Sequence, residues 1–295
     1  MLINSFLNYL RLERNYSDKT VVSYSVDLRQ FEDFFKNRIE ENLDFIAVDA
    51  DVVRSWVLYL MDEKNLAATS INRKLSTLRA FYRFLLRKKK VVINPMLRVV
   101  SPKSQKALPV FLKDDEMERL LDECSFGDGF EVFRDRLILE VFYLTGIRLS
   151  ELVGMNDSDV DFSTMQIKVM GKRRKQRIIP ISLELENDLR EYLKLRSEVL
   201  FEKAEAFFVL QDGKRMKASK VYKIVRRNLS KVVSLKKRSP HVLRHTFATS
   251  MLNNEAELDV VKELLGHVSL ASTEIYTHTT FEELKKVYKQ AHPRA

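Results

Sequence analysis

The residues of this chain that could do chemistry fall into a few short clusters. All five histidines follow position 240, within His241-Val-Leu-Arg244-His245, Leu264-Leu-Gly266-His267, Ile275-Tyr276-Thr-His278 and at His292. Far upstream, Thr145-Gly-Ile-Arg148-Leu-Ser-Glu151-Leu supplies a second arginine of interest. Arginine keeps its charge and presents a planar fork that matches two phosphate oxygens. Histidine donates to the same group or moves a proton near neutral pH. A tyrosine oxygen becomes a nucleophile once its proton has an acceptor. Two arginines, two histidines and a tyrosine are therefore suited to holding a phosphodiester while a phenol oxygen attacks it.

Each residue has a plainer reading when taken alone. His241 and Arg244 stand three apart, so a helix projects them on one side, with Pro240 in its first turn and Ser239 as its cap. That much describes any basic helix. Arg148 by itself is the surface partner of Glu151, His267 a histidine at a helix end, and Tyr276 an amphipathic core residue. His241 and His245, four apart, have metal-ligand spacing. No glutamate lies between them, however, and residues 213–254 contain no Asp or Glu at all, so no metal is expected.

The elements that must position these residues can be read from periodicity. Residues 1 to about 90 read as all-helical. Leu2, Phe6, Tyr9 and Leu10 mark a first helix, and Ser17 or Asp18 opens a second through Val21, Tyr24, Leu28, Phe31 and Phe35. Asp49 or Asp51 opens a third through Trp56 and Leu60. Thr69 or Ser70 opens a fourth that buries Ile71, Leu75, Leu78, Phe81, Tyr82 and Leu85. The fourth also carries Arg73, Lys74 and Arg79, which are expected to face DNA. Residues 94–109 hold Pro95, Pro102 and Pro109 without periodicity and read as a linker. A helix over 132–144 then delivers Arg148. Residues 165–170 and 177–181 read as two strands around a turn, and Phe207–Leu210 reads as a third strand. Helices are expected over 183–197, 218–234, 241–253, 257–265, 269–277 and 281–290. The fold class is mainly α with a small β-sheet.

Composition narrows the partner. The chain has 295 residues, 45% hydrophobic and 31% charged, with a formal charge of +10. Its acid-free stretch over 213–254 includes Lys220, Lys223 and Arg227, a distribution that suits a polyanion. The single cysteine, Cys124, excludes an internal disulfide and a cysteine-rich zinc site. No apolar run reaches the roughly 18 residues of a membrane span, and Met1–Arg11 lacks a secretory pattern. A cytoplasmic location without membrane association is expected.

Taken together, the ordered set Thr145-Gly-Ile-Arg148-Leu-Ser-Glu151-Leu, Gly171-Lys172, His241-x-x-Arg244-His245, Leu264-Leu-Gly-His267 and Ile275-Tyr276-Thr-His278 resembles the tyrosine site-specific recombinases of the phage integrase family. Within them it looks most like the XerC/XerD group, and Tyr16-Ser-x-x-Thr20, Tyr24 and Asp27-Leu28 are similar to that group's N-terminal core-binding domain. The resemblance implies a helical, SAM-like DNA-binding domain over 1–93, a linker over 94–109 and a catalytic domain over 110–295, closing around DNA as a clamp. It implies Tyr276 as nucleophile, Arg148 and Arg244 on the phosphate, His241 assisting proton transfer, and His267 hydrogen-bonding the phosphate. Lys172 is the implied leaving-group acid. The turn continues Arg173-Arg174-Lys175 where similar enzymes often have glycine after the lysine, which leaves Lys175 as the other candidate. Glu151 and His245 would support the reacting groups from behind, and Arg173, Arg174 and Lys175 would join Lys220, Lys223 and Arg227 on DNA.

No cofactor is implied, because a 3′-phosphotyrosyl link retains the energy of the broken ester. The implied partners are a double-stranded recombination site, three further subunits in a homo- or hetero-tetramer, a second Xer-type recombinase and an FtsK-like translocase. The helix over 281–290 would dock on a neighbouring subunit. Resolution of chromosome or plasmid dimers is the expected role. Integration or transposition of a mobile element, a DNA-binding protein without catalysis and a metal-dependent nuclease are the alternatives.

Overall fold

The computed structural model describes residues 1–39, 44–104, 110–123, 129–171, 176–200, 204–232, 238–266 and 281–294. The chain divides into two compact units, Met1–Ala107 and Leu108–Ala295.

The first unit packs α1 (Leu2–Leu12), α2 (Asp18–Arg38), α3 (Ala50–Asp62) and α4 (Ala68–Arg87) around one core. Helix starts follow local chemistry. The Ser17 hydroxyl accepts the Thr20 N–H, and the Asp49 carboxylate accepts from the N–H groups of Asp51 and Val52. α4 departs from expectation: it begins at Ala68 after an extended Ala67, and no side chain caps it. Aromatic side chains fill the centre, with Phe6 edge-on to Phe81 at 5.3 Å and Phe31 edge-on to Trp56 at 5.0 Å. Burying each such ring contributes about 1.5–3 kcal/mol. Residues 94–99, read from sequence as part of a linker, fold onto this unit. Asn94 caps a 3₁₀ turn over Pro95–Arg98, and Met96 and Val99 enter the same core.

The second unit starts with α5 (Asp114–Glu118), which runs on into a π turn, Arg119–Glu123. Next come α6 (Phe130–Thr145), α7 (Leu149–Gly154), β1 (Val160–Asp161), β2 (Gln166–Met170) and β3 (Gln176–Pro180). α8 (Leu183–Val199), α9 (Ala218–Val232), α10 (Pro240–Asn253), α11 (Leu258–Leu265) and α12 (Phe281–Ala291) complete it. α6 is the central element. Every residue from Leu137 to Ile147 is buried, as expected of a helix covered on all sides, and α8 and α10 pack on it.

The sheet is antiparallel in the order β1-β2-β3, with Ile167 opposite both Val160 and Ile179. The third strand is thus Val160–Asp161 and not the expected Phe207–Leu210. That apolar run makes only an isolated bridge, Val209 with Arg215, next to one from Ala206 to Asn156, while Phe207, Phe208 and Val209 are all buried. A run buried on every side has no alternation to distinguish a strand from any other core segment.

α12 packs within its own chain. Leu284, Tyr288 and Ala291 join Phe247, Met251 and Leu264 in one cluster. The apolar side expected to meet a neighbouring subunit is therefore covered here, because the α10–α11 pair offers it a complementary apolar face. His292 closes the seat, stacked on Phe247 at 5.6 Å and edge-on to Tyr143 at 5.0 Å, with a ring nitrogen 3.3 Å from the Tyr143 carbonyl oxygen.

Burial pulls the His292 pKa down to about 4 against the hydrogen bond to Tyr143, and Arg294 adds to the depression. The folded state thus binds fewer protons than the unfolded chain between pH 6.5 and 4, and this contribution to stability is complete above about 6.5 and lost as pH falls through about 4. Glu140, buried beside Tyr288, works the other way. Burial and Asp188 push it up to about 8 against Arg136, so its contribution is lost as pH rises. Comparison with His292→Phe cancels that opposing effect. Relative to wild type, the variant should gain about 2 kcal/mol of unfolding free energy between pH 7 and pH 5 in urea titrations. An unchanged difference at the two pH values would exclude His292 as the acid-sensitive group.

Candidate active site

Three helix ends converge in the second unit, and glycine permits the approach. α6 ends at Gly146, whose φ of 58° is left-handed and whose N–H reaches the Phe142 carbonyl. A β-carbon there would lie 2.6 Å from Phe247 Cδ1 and 2.8 Å from Leu265 Cδ2. Glycine is thus required both for the turn and for the contact with α10 and α11. α10 begins with Pro240 at its first position, after an extended Ser239 whose hydroxyl makes no capping bond. Arg244 lies on its buried side, with His241 and His245 exposed.

Arginines from three elements meet at the end of α11. Arg244 donates from Nη1 to the Gly146 carbonyl and from Nη2 to the Leu265 carbonyl at 2.5 Å. Arg148, at the N-cap of α7, donates from Nη2 to the Gly266 carbonyl at 2.8 Å. Arg177, on β3, donates from Nε to the Leu264 carbonyl at 2.8 Å. Three successive carbonyls that a helix end leaves unsatisfied are each taken by a different guanidinium. Glu151 binds the group together. Its side chain is 1% exposed and accepts from Arg148 Nη1 at 2.8 Å and from Arg177 Nη1 and Nη2 at 2.6 and 2.9 Å. The Arg148 backbone N–H adds a fourth bond at 2.8 Å.

The cluster carries three cations against one carboxylate. Burial would raise the Glu151 pKa, but the hydrogen bonds from Arg177 and Arg148 outweigh it and hold the carboxyl below its usual range. Burial and the charges of Arg148 and Arg177 pull Arg244 down to about 9, leaving it charged at neutral pH. A guanidinium has five N–H donors, and the contacts above use two of Arg148's and two of Arg244's. An excess of positive charge with donors in reserve suits an oxyanion.

Lys172, Arg173, Arg174, Lys175, His267, Tyr276 and His278 lie outside the described residues. Of the surface residues expected on DNA, Lys220, Lys223 and Arg227 are exposed on α9, with Arg227 also bonded to Asp135 at 2.9 Å. Arg73 is exposed but donates both Nη atoms to buried Asp27 at 2.6 Å, and Arg79 is turned to the Val99 carbonyl and the Ser101 hydroxyl. Lys74 requires a correction. It is 7% exposed, and its ammonium sits on Asp27 at 3.0 Å and on Gln30, so it ties α4 to α2 and faces inward. An ammonium that deep needs an anion, and Asp27 supplies it. Among the described residues, no three His, Cys, Asp or Glu side chains gather as a metal-binding group, and no helix is long and apolar enough to cross a membrane.

Sequence reading missed Arg177. The sequence held no clear signal for it: Ile178 and Ile179 are both apolar, and only the structure, with Ile179 buried and Ile178 exposed, puts Arg177 on the inward face, where an arginine must find an anion.

Residues 110–283 match the phage integrase family, and residues 3–89 match the N-terminal SAM-like domain of phage integrases. The chain belongs to the phage integrase family. Among curated relatives, the tyrosine recombinase XerC of Halalkalibacterium halodurans is 40% identical over 299 residues, covering 99% of this chain and 97% of the relative. XerC of Pelotomaculum thermopropionicum is 40% identical over 302 residues, covering 99% and 98%. Two solved structures share the fold. The XerH site-specific recombinase bound to a palindromic difH substrate has a TM-score of 0.73 at 23% identity, covering 96% of this chain and 83% of that one. The Tn1549 transposon integrase in complex with a circular intermediate DNA has a TM-score of 0.73 at 22% identity, covering 98% and 99%. The fold expected from sequence, mainly helical with a small sheet and an N-terminal helical domain, is the fold observed.

Proposed function

We propose that this protein is a site-specific DNA recombinase that cuts and rejoins strands through a 3′-phosphotyrosyl intermediate, in an XerC-like role. One observation carries the chemistry. Arg148 and Arg244, far apart in sequence, converge as cations with spare donors at Leu265–Gly266, ten residues before Tyr276.

The Tyr276 oxygen would attack the scissile phosphorus as the bond to the 5′ oxygen breaks. The phenol proton would leave by way of His241, and Lys172 would deliver a proton to the departing 5′ oxygen. Arg148 and Arg244, with His267, would hold the non-bridging oxygens and stabilise the charge that accumulates on them. A 5′ hydroxyl from the second duplex would then reverse the step. One ester is exchanged for another, so the reaction draws on neither ATP nor a metal. The exposed basic side of α9 would follow the phosphate backbone, which positions a duplex without reading its sequence. Similarity to XerC along nearly the whole length of both chains favours resolution of replicon dimers over integration, by a tetramer on DNA acting with a second recombinase and a translocase.

The test is covalent capture. Nicked duplexes of randomised sequence are incubated with the protein in EDTA and resolved on a denaturing gel. An adduct of protein and DNA is the expected result. No adduct, with DNA binding retained, would sink the proposal.

A further inference from the structure

We propose that Arg177 is a positioning residue for this strand transfer, acting through Glu151 on Arg148 and through the end of α11 on the chain entering His267. The inference rests on the recombinase reading above.

Arg177 stands where three parts of the site meet. It lies on β3, five residues after Lys172 in the sequence. Its side chain, 12% exposed, spans both oxygens of Glu151 and the Leu264 carbonyl. Its stem also lies against Gly266, where an added β-carbon would come within 3.0 Å of Arg177 Cδ. Gly266 has a φ of 63°, so its left-handed turn and the packing of Arg177 on it are one arrangement. Arg177 thus braces the end of α11 at Leu264–Gly266, directly before His267 in the sequence.

Charge gives Arg177 a second effect. Glu151 shares its two oxygens between Arg177 and Arg148. Without Arg177, the carboxylate has one guanidinium left, and a bidentate one-to-one pair with Arg148 becomes its best geometry. That pair would neutralise Arg148 and turn its fork from the phosphate. Arg177 therefore keeps Arg148 charged outward without touching the substrate itself.

A residue that only stabilised the fold would not separate binding from chemistry. The experiment takes the nicked duplexes that the wild type captures from the randomised pool and measures two quantities for Arg177→Gln and Arg177→Lys. These are the dissociation constant by gel shift and the rate of adduct formation at saturating DNA. Thermal midpoints show that the variants are folded, and the lysine variant, which keeps a cation opposite Glu151, carries the test where glutamine fails to fold. The expected adduct rate falls about 100-fold for glutamine and about 10-fold for lysine, with DNA affinity within about threefold of wild type. A folded variant that reacts at the wild-type rate overturns the inference. So does a loss of rate matched by an equal loss of affinity. A wild type that captures no duplex overturns the recombinase reading instead, and the control lane separates the two failures.

Discussion

Replacing Tyr276 with phenylalanine is expected to remove the covalent adduct entirely while leaving DNA affinity within about twofold of wild type. The substitution deletes one oxygen atom. If that oxygen forms the bond to phosphorus, no rearrangement of the remaining side chains restores the product, because phenylalanine offers no nucleophile. Binding should persist because it belongs to other groups, the guanidinium forks of Arg148 and Arg244 and the exposed Lys220, Lys223 and Arg227. The proposed chemistry also calls for cations around the phenol. A free tyrosine has a pKa near 10, so only about one molecule in a thousand is phenolate at neutral pH. The arginine cluster, with three cations to one carboxylate, would supply a field that favours negative charge on the phosphate under the proposed attack. The check is the nicked-duplex assay in EDTA with wild type and variant side by side. An adduct that survives Tyr276→Phe would identify a different nucleophile and remove Tyr276 from the mechanism.

What was legible in the sequence was what local patterning can encode. α2 and α3 combine a helical repeat of apolar residues with cap residues that use their side chains, and both appear where those signals place them. β2 alternates clearly and pairs with β3 as expected. The start of α4 was misplaced because Thr69 and Ser70 are good cap residues, whereas the chain turns at Ala67, which has no capping group. β1, at two residues, is too short to show a period. Lys74 looked like part of a basic surface because its partner Asp27 lies 47 residues away on another helix.

The site divides along the same line. Arg148 and Arg244 stood out by motif, and the structure brings both to one place. Their acceptors could not be read, since Arg148 bonds Gly266 across 118 residues and Arg244 bonds Gly146 across 98. Lys172, His267 and Tyr276 rest on their motifs, and Arg177 emerged only from three-dimensional contacts.

Arg244→Gln should lower the rate of adduct formation about 1,000-fold at saturating DNA, the loss expected when a charged donor to a developing oxyanion is removed. Arg244 is 8% exposed and already bonded to two carbonyls, so its fork is fixed before any phosphate arrives and no ordering cost falls on the reaction. Stability should change less than its burial suggests. Losing the donors leaves the Gly146 and Leu265 carbonyls short of partners, at about 1–3 kcal/mol each. Against that, the folded chain holds the Arg244 charge at a cost, since burial and its neighbours Arg148 and Arg177 pull its pKa down to about 9. Removing the cation relieves that repulsion, and a net loss of about 1–3 kcal/mol is expected in urea titrations. Arg244→Lys separates the two contributions. It keeps the charge, but one ammonium cannot serve both carbonyls and a phosphate in the geometry of a planar fork. The lysine variant should therefore bind DNA nearly as well as wild type and still react about 100-fold more slowly. A lysine variant reacting within tenfold of wild type would show that charge alone suffices at this position. The carbonyl contacts would then be a feature of the fold and not of the chemistry.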